Sequence, residues 1–222
     1  HSFRHFACIA LDSMRSDHCL TPETWRDHVD LDVPPETMAL IEKPGQGLIL
    51  VSGHLGNWET AAEVVSYIKP IVGMARKMNN PYTDALIRKR KNSDAFTLTP
   101  KHSEDMGRLL KTLKAGNVLA LLTDQHAKGR GMMVDFFGIP AATHTSHALL
   151  HLITKVPICF GYCVKTGPTQ FKFKASAPIS TARTGKRESD VRAILEQING
   201  ELETAIRAYP EQYLWAHRRW RD

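Results

Sequence analysis

The amino-acid sequence predicts an α/β fold in which a mixed, largely parallel β-sheet is flanked by helices. Continuous apolar runs such as residues 47–52 and 117–123 are typical of strands that are buried on both faces. Segments with apolar residues at helical spacing alternate with these runs, which is the order that a parallel sheet requires. At 222 residues, the chain is expected to form a single domain spanning residues 1–222.

The predicted elements alternate regularly along the chain. Asn57 is predicted to cap a helix directly after the first strand, because its side chain can accept hydrogen bonds from the exposed amides of the first turn. Gly116 is predicted to end an amphipathic helix that carries Leu109 and Leu113 on its apolar side. The predicted strands are residues 47–52, 71–75, 117–123, 158–164 and 170–176, and the predicted helices begin at Asn57 or cover residues 82–91, 104–114, 144–154 and 189–209.

The composition describes a basic protein with an ordinary apolar content. The formal net charge is +6, and 11 histidines can add positive charge below neutral pH. This balance suits an acidic partner: nucleic acid, an anionic lipid, a phosphorylated glycolipid or an acidic carrier protein. Charge alone does not choose among these partners.

Cysteine spacing and the length of the apolar runs indicate where in the cell the protein is expected to lie. The four cysteines form no CxxC pair, which favours reduced thiols on the cytoplasmic side over a disulfide or a metal site. No run reaches the roughly 18 apolar residues of a membrane-spanning helix. The first residues resemble the interior of a domain more than a signal peptide. We therefore expect a further N-terminal segment, which could carry a membrane anchor.

The most informative motif is the string SGHLGNWE at residues 52–59. His54 and Glu59 are separated by four residues, so they share no face of one regular helix. They can converge if His54 lies in a glycine-rich turn and Glu59 lies in the first turn of the following helix. An ionised Glu59 would then accept from one ring nitrogen of His54 and leave the other nitrogen free to take a proton. The alternative is a solvent-facing turn histidine beside an ordinary first-turn glutamate.

This string resembles the His-x4-Asp/Glu motif of the bacterial lipid A late acyltransferases, the lauroyl and myristoyl transferases of the lysophospholipid-acyltransferase-like superfamily. The resemblance extends from about residue 45 to the C-terminus. It also rests on four further motifs: Arg76 with Asn80-Pro81, Thr123-Asp124-Gln125, the run VDFFG at residues 134–138 with Ala142-Thr143, and the run PEQYLWAHRRW at residues 210–220. The fold that it implies is the mixed sheet of the glycerol-3-phosphate acyltransferases.

The resemblance implies a role for each matching residue. His54 is expected to be the general base that activates a lipid hydroxyl, and Glu59 is expected to orient it. Asn57, Asp124 and Gln125 are expected to bind substrate beside it, although Asp124 can also be read as a turn cap. Two arginines are expected to bind phosphate or the pantetheine arm of the donor, namely Arg76 and Arg90. No cysteine or serine is implied as a nucleophile, so transfer would be direct.

The resemblance also implies the substrates and their place in the cell. The donor would be acyl carrier protein or coenzyme A carrying a fatty acyl thioester, and the acceptor would be a lipid A precursor. The reaction would need no cofactor and no metal, and it would take place at the cytoplasmic face of the inner membrane. Another glycolipid or a lysophospholipid is an alternative acceptor.

Other functions remain open from the residues alone. A thioester or ester hydrolase could use the same His54/Glu59 pair to activate water. A nucleic-acid-binding protein could use the positive charge, but the basic residues are spread over several elements and no recognised motif is present. His144, His147 and His151 share one helical face and could suggest zinc, but no carboxylate or thiolate spacing accompanies them. Phe136, Phe137 and Ile139 are candidates for an acyl groove or for the core.

Overall fold

The computed structural model describes residues 1–75, 80, 82, 85, 95–100 and 106–221. The helices in these ranges are α1 (Ser2–Cys19), α2 (Trp25–His28), α3 (Pro35–Glu42), α4 (Trp58–Ser66), α5 (Met106–Lys114), α6 (Ser146–Thr154) and α7 (Arg187–Ala208). The strands are β1 (Val29–Asp32), β2 (Leu48–Ser52), β3 (Ile71–Ala75), β4 (Phe96–Pro100), β5 (Val118–Leu122), β6 (Met132–Phe136), β7 (Ile139–Thr143), β8 (Ile158–Lys165) and β9 (Phe171–Ala175).

The strands form a seven-stranded sheet in the order β1-β9-β8-β2-β5-β3-β4, and β6 and β7 form a separate hairpin. Within the large sheet, only β8 and β9 pair in antiparallel orientation among the strands that the structure describes. The other neighbouring strands pair in parallel. The predicted mixed, largely parallel sheet flanked by helices is therefore confirmed.

The packing on both faces of strand β2 explains why its apolar run is continuous. Ile49 and Val51 face a core that is closed by α6 and α7, whereas Leu48 and Leu50 face a second core that is closed by α3 and α4. Because both faces of the strand are covered, alternation between apolar and polar residues is absent. Ser52 is the last residue of β2, and the chain leaves the sheet directly after it.

Several elements were not predicted from the sequence. These are helices α1, α2 and α3, strands β1 and β4, and the hairpin β6–β7. The hairpin β6–β7 turns at Phe137 and Gly138, which both have positive φ angles, of 55° and 74°. This backbone form normally selects Asn-Gly or Asp-Gly, so a Phe-Gly turn gives little signal. The predicted helix 82–91 lies largely outside the described residues, and none of the described helices is long and apolar enough to cross a membrane.

Candidate active site

His54 lies in the tight turn that joins β2 to α4. Gly56 makes this turn possible, because its φ of 62° is unfavourable for residues with a side chain. A Cβ atom at Gly56 would lie only 2.0 Å from the carbonyl oxygen of Cys163. The neighbouring amide of Asn57 donates to that same oxygen at 2.6 Å. Glycine is therefore required so that the turn can approach the backbone of β8.

The carboxylate that contacts the His54 ring is Asp124. The distance from His54 Nδ1 to Asp124 Oδ1 is 2.8 Å, and the backbone amide of His54 donates to Asp124 Oδ2, also at 2.8 Å. The side chain of His54 remains 17% exposed, whereas that of Asp124 is 3% exposed. One carboxylate thus holds both the backbone and the ring of the histidine, and the ring still reaches the surface.

The charge state of Asp124 follows from this contact. Burial by itself raises the pKa of Asp124, but the charge and the hydrogen bonds of His54 act in the opposite direction and leave the pKa below its ordinary value. Asp124 is therefore ionised at neutral pH and accepts the Nδ1 proton of His54. This tautomer leaves the lone pair of Nε2 available as a base.

The observed contact differs from the predicted pairing of His54 with Glu59. Glu59 lies in the first turn of α4, where it is half-buried, and its Oε2 accepts from the hydroxyl of Ser13 in α1 at 2.6 Å. The Nδ1 atom of His54 is already bonded to Asp124. A direct catalytic role for Glu59 stays a prediction.

Asn57 caps α4 as the sequence predicts. Its side-chain oxygen accepts from the amides of Glu59 at 3.2 Å and Thr60 at 3.0 Å, and the residue is only 1% exposed. The oxygen is thus used inside the fold, and binding of substrate by Asn57 stays a prediction. Gln125 follows Asp124 at the same edge of the sheet and is half-buried.

A C-terminal segment, residues 210–219, crosses the turn that holds His54. The amide of Leu214 donates to the carbonyl of His54 at 3.0 Å, and the amide of Gly56 donates to the carbonyl of Gln212 at 3.0 Å. His217 reaches the loop after β5, where its Nε2 accepts from the amide of His126 at 3.0 Å. Burial lowers the pKa of His217, which keeps Nε2 unprotonated for this bond.

An aromatic side chain borders His54. The rings of His54 and Trp58 meet edge-on with their centroids 5.0 Å apart, and Trp58 in turn contacts Phe6 of α1 at 5.8 Å. Both Trp58 and Phe6 are half-buried. This arrangement gives the turn at His54 an apolar margin on the side of α1.

The candidate groove residues differ in burial. Phe136 is fully buried and stacks on Trp220 with centroids 5.6 Å apart, so it belongs to the core. Phe137 is half-buried, and Ile139 is 54% exposed at the tip of the hairpin. A cleft of about 410 Å³ lies at the edge of the sheet, around β1, and includes none of the residues that surround His54. Arg76 and Arg90 lie outside the described residues.

The histidines of α6 have separate environments. His147 is completely buried, and neither ring nitrogen has a hydrogen-bond partner among the described residues. The Nδ1 atom of His151 bonds to the carbonyl of Val156 at 2.8 Å. In the part of the chain that the structure describes, no group of three or more His, Cys, Asp or Glu side chains is arranged to hold a metal ion.

The buried cysteines are poor candidates for nucleophiles. Cys159 and Cys163 both lie in β8, and burial raises the pKa of each thiol, that of Cys159 to about 11. A thiol in this state carries almost no thiolate at neutral pH. Nucleophilic attack by these cysteines is thus disfavoured. The chemistry that the contact between His54 and Asp124 supports is proton transfer by His54, with Asp124 as its buried anionic partner.

A partly exposed imidazole held by a buried carboxylate at the end of parallel strands is an arrangement that acid–base catalysis can use. The family described as bacterial lipid A biosynthesis acyltransferase matches residues 33–222. Because this match covers most of the chain, the protein belongs to that family and is an acyltransferase. It therefore takes an acyl donor and a lipid acceptor as its substrates.

Among solved structures, the chain is similar to the 1-acyl-sn-glycerophosphate (LPA) acyltransferase PlsC from Thermotoga maritima. The two share 12% sequence identity with a TM-score of 0.46, and the match covers 89% of this chain and 78% of that chain. No curated protein sequence matches this chain.

Proposed function

We propose that the protein moves a fatty acyl group from a thioester to a hydroxyl of a lipid A precursor, with His54 as the general base. The observation that carries the proposal is the contact between His54 Nδ1 and Asp124, at 2.8 Å, in a chain of this family. No hydrogen bond reaches Nε2 of His54 from the residues that the structure describes. This nitrogen is thus the one that takes the proton.

The reaction balances without a cofactor. His54 Nε2 takes the proton of the acceptor hydroxyl while that oxygen attacks the thioester carbonyl, and a tetrahedral intermediate forms. When the intermediate collapses, the carbon–sulfur bond breaks and the thiolate leaves. The protonated His54 then returns its proton to the thiolate. Asp124 stabilises the imidazolium between these two steps.

The two carboxylates are proposed to have different tasks. Asp124 holds the tautomer and the orientation of His54. Glu59 assists from the first turn of α4, where the helix dipole favours its anionic form and Ser13 fixes one of its oxygens. The oxyanion of the intermediate needs a hydrogen-bond donor or a cation nearby, for which backbone amides of the turn and Arg90 are the proposed candidates.

We further propose acyl carrier protein as the donor and the cytoplasmic face of the inner membrane as the place of reaction. The net charge of +6 is complementary to an acidic carrier protein and to anionic lipid. Trp215 of the C-terminal segment is 46% exposed, and an exposed tryptophan beside cations suits a membrane interface. Flotation with vesicles of anionic phospholipid tests the membrane part of this proposal.

The decisive experiment incubates the protein with acyl carrier protein that carries an isotope-labelled fatty acyl group and with a lipid A precursor, and follows the acylated lipid by mass spectrometry. We expect His54→Ala to lower turnover by roughly 10²–10⁴-fold, as is typical for the loss of a general base. Near-normal transfer by this variant would reject the proposal. Release of free fatty acid at the same rate with and without the acceptor lipid would instead identify a hydrolase.

A further inference from the structure

Helix α1 packs against the turn that holds His54 and against the start of α4. The ring of His5 is buried, and its Nε2 atom donates to the carbonyl of Gly56 at 3.2 Å. One helical turn position further on, Phe6 contacts Trp58, which itself contacts the ring of His54. Helix α1 therefore forms one wall of the candidate active site.

Two further bonds fix α1 in this position. Near its start, the hydroxyl of Ser2 donates to the carbonyl of Tyr213 in the C-terminal segment at 2.6 Å. Further along, the buried carboxylate of Asp12 forms an ion pair with Lys165 of β8. Ser2 and Asp12 lie about three helical turns apart. Because the helix is held at both places, the side chains of its inner face have defined positions.

Ser13 uses this fixed position to contact Glu59. Its hydroxyl donates to Glu59 Oε2 at 2.6 Å, a length typical of a hydroxyl that donates to a carboxylate, which is about 2.5–2.7 Å. Both residues are half-buried, so the bond is partly shielded from water. The carboxylate of Glu59 is thus held by a residue that lies 46 positions earlier in the chain.

Helix α1 lies before residues 33–222, the part of the chain that matches the acyltransferase family. The family match therefore gives no role to Ser13. Its contribution follows from its contact with Glu59 in this structure.

We propose that Ser13 is a positioning residue for acyl transfer, which holds the carboxylate of Glu59 in place through their hydrogen bond. This rests on the proposed function, in which Glu59 assists His54. A glutamate side chain without such a bond is distributed over several rotamers. Only part of the molecules would then have Glu59 in the position from which it assists, and turnover would fall. Because Ser13 acts through Glu59, it should have little effect when the carboxylate is absent.

A double-mutant cycle tests this dependence. The four proteins are the wild type, Ser13→Ala, Glu59→Ala and the double variant, each assayed for kcat and KM in acyl transfer. We expect Ser13→Ala to lower kcat by about 3–10-fold in the wild-type protein, with KM for the acyl donor unchanged within about 2-fold. In the Glu59→Ala protein the same change should lower kcat by less than about 2-fold. Alanine is a good helix former, so α1 is retained.

Two variants serve as controls. Ser13→Thr keeps a hydroxyl at the same position and should restore most of the kcat that Ser13→Ala loses. Ser2→Ala removes a hydrogen bond of the same length from the same helix, but that bond ends on a backbone carbonyl. Its effect on kcat should be the same factor with and without Glu59. The positioning role is overturned if Ser13→Ala also acts by the same factor in both proteins, or if Glu59→Ala itself leaves kcat unchanged.

Urea denaturation of the same four proteins tests the hydrogen bond without any substrate. Ser13→Ala should raise the unfolding equilibrium constant by about 2–10-fold more when Glu59 is present than when it is absent. The helix propensity of alanine acts equally in both cases and cancels in this comparison. Additive effects on unfolding would show that the bond contributes nothing and would overturn the role of Ser13.

The two proposals can fail separately. If the wild type acylates the lipid A precursor but Ser13 and Glu59 act additively on kcat, the role of Ser13 fails and the proposed function stands. If the wild type does not acylate this precursor, the proposed function fails, and the cycle in kcat is measured with a lysophospholipid as the acceptor. Non-additive effects there support the role of Ser13, and additive effects or the absence of transfer reject it.

Discussion

Asp124 meets His54 because each residue lies two positions beyond a pair of aligned residues in neighbouring parallel strands. Ser52 of β2 is in register with Leu122 of β5, and the amide of Thr123 donates to the carbonyl of Ser52 at 3.0 Å, which continues the alignment past the strands. Ligand and active sites of parallel sheets lie at the carboxyl ends of strands for the same geometric reason.

Exchanging each carboxylate separately tests which one supports the base. We expect Asp124→Asn to lower kcat by about 10²–10⁴-fold, because the amide cannot hold His54 in the tautomer that leaves Nε2 unprotonated. Glu59→Gln keeps the size and the position in α4 and should have a smaller effect. Steady-state acyl transfer assays measure both values. A larger loss in Glu59→Gln than in Asp124→Asn would return the role to the pair predicted from the sequence.

Replacement of Gly56 tests the close approach between the turn and β8. We expect Gly56→Ala to lower the free energy of unfolding by about 2–5 kcal/mol, from its positive φ and from the collision of Cβ with the carbonyl of Cys163. Gly138→Ala is the control: Gly138 also has a positive φ, of 74°, but no described atom lies within 4 Å of the position that its Cβ would take. It should lose only about 1–2 kcal/mol in urea denaturation. Equal losses would argue against the collision.

The buried ring of His147 predicts a pH dependence of stability. Burial lowers the pKa of His147 from 6.5 to about 3, so between these values the unfolded chain binds a proton that the folded protein does not. The free energy of unfolding should therefore fall as the pH drops below 6.5, by up to about 1.4 kcal/mol per pH unit from this residue. His147→Leu should reduce this slope in denaturation series between about pH 4 and 7. His151→Leu, on the same helix, should retain it, and an unchanged slope in His147→Leu would contradict the prediction.

Lys69 connects the end of α3 to the end of α4. Its ammonium group donates to the carbonyls of Leu40 at 3.2 Å, Lys43 at 2.7 Å and Gln46 at 2.7 Å, and the residue is 5% exposed. Lys69→Met removes these three hydrogen bonds, although the carbonyl of Lys43 also accepts from the amide of Gln46 at 3.4 Å, and we expect a loss of about 1–3 kcal/mol in the free energy of unfolding. The exposed Lys114 provides the control, since Lys114→Met should change stability by less than about 0.5 kcal/mol. A loss in Lys69→Met no larger than that of the control would show that the three bonds contribute little.

Local patterns were sufficient for the elements that surround His54. The cap at Asn57, the turn around Gly56 and the apolar strand β2 depend on neighbouring residues, and the structure has them where the sequence predicts them. The hairpin β6–β7 was missed because Phe137 adopts a positive φ that its side chain normally disfavours. Here a tertiary contact compensates for the local preference: the amide of Phe137 donates to Glu203 of α7 at 2.7 Å.

The motif at residues 52–59 was enough to single out His54 as the candidate base, because its resemblance to a known family motif can be read from one short stretch of sequence. Its partner depended on tertiary structure. Asp124 is 70 positions away, and no local signal states that β2 and β5 are neighbours or that they pair in this register. The same holds for Leu214, whose amide reaches the carbonyl of His54 only because the last segment of the chain folds back over the turn. Strand order and register result from packing of the whole domain, and they bring together the groups that carry the chemistry.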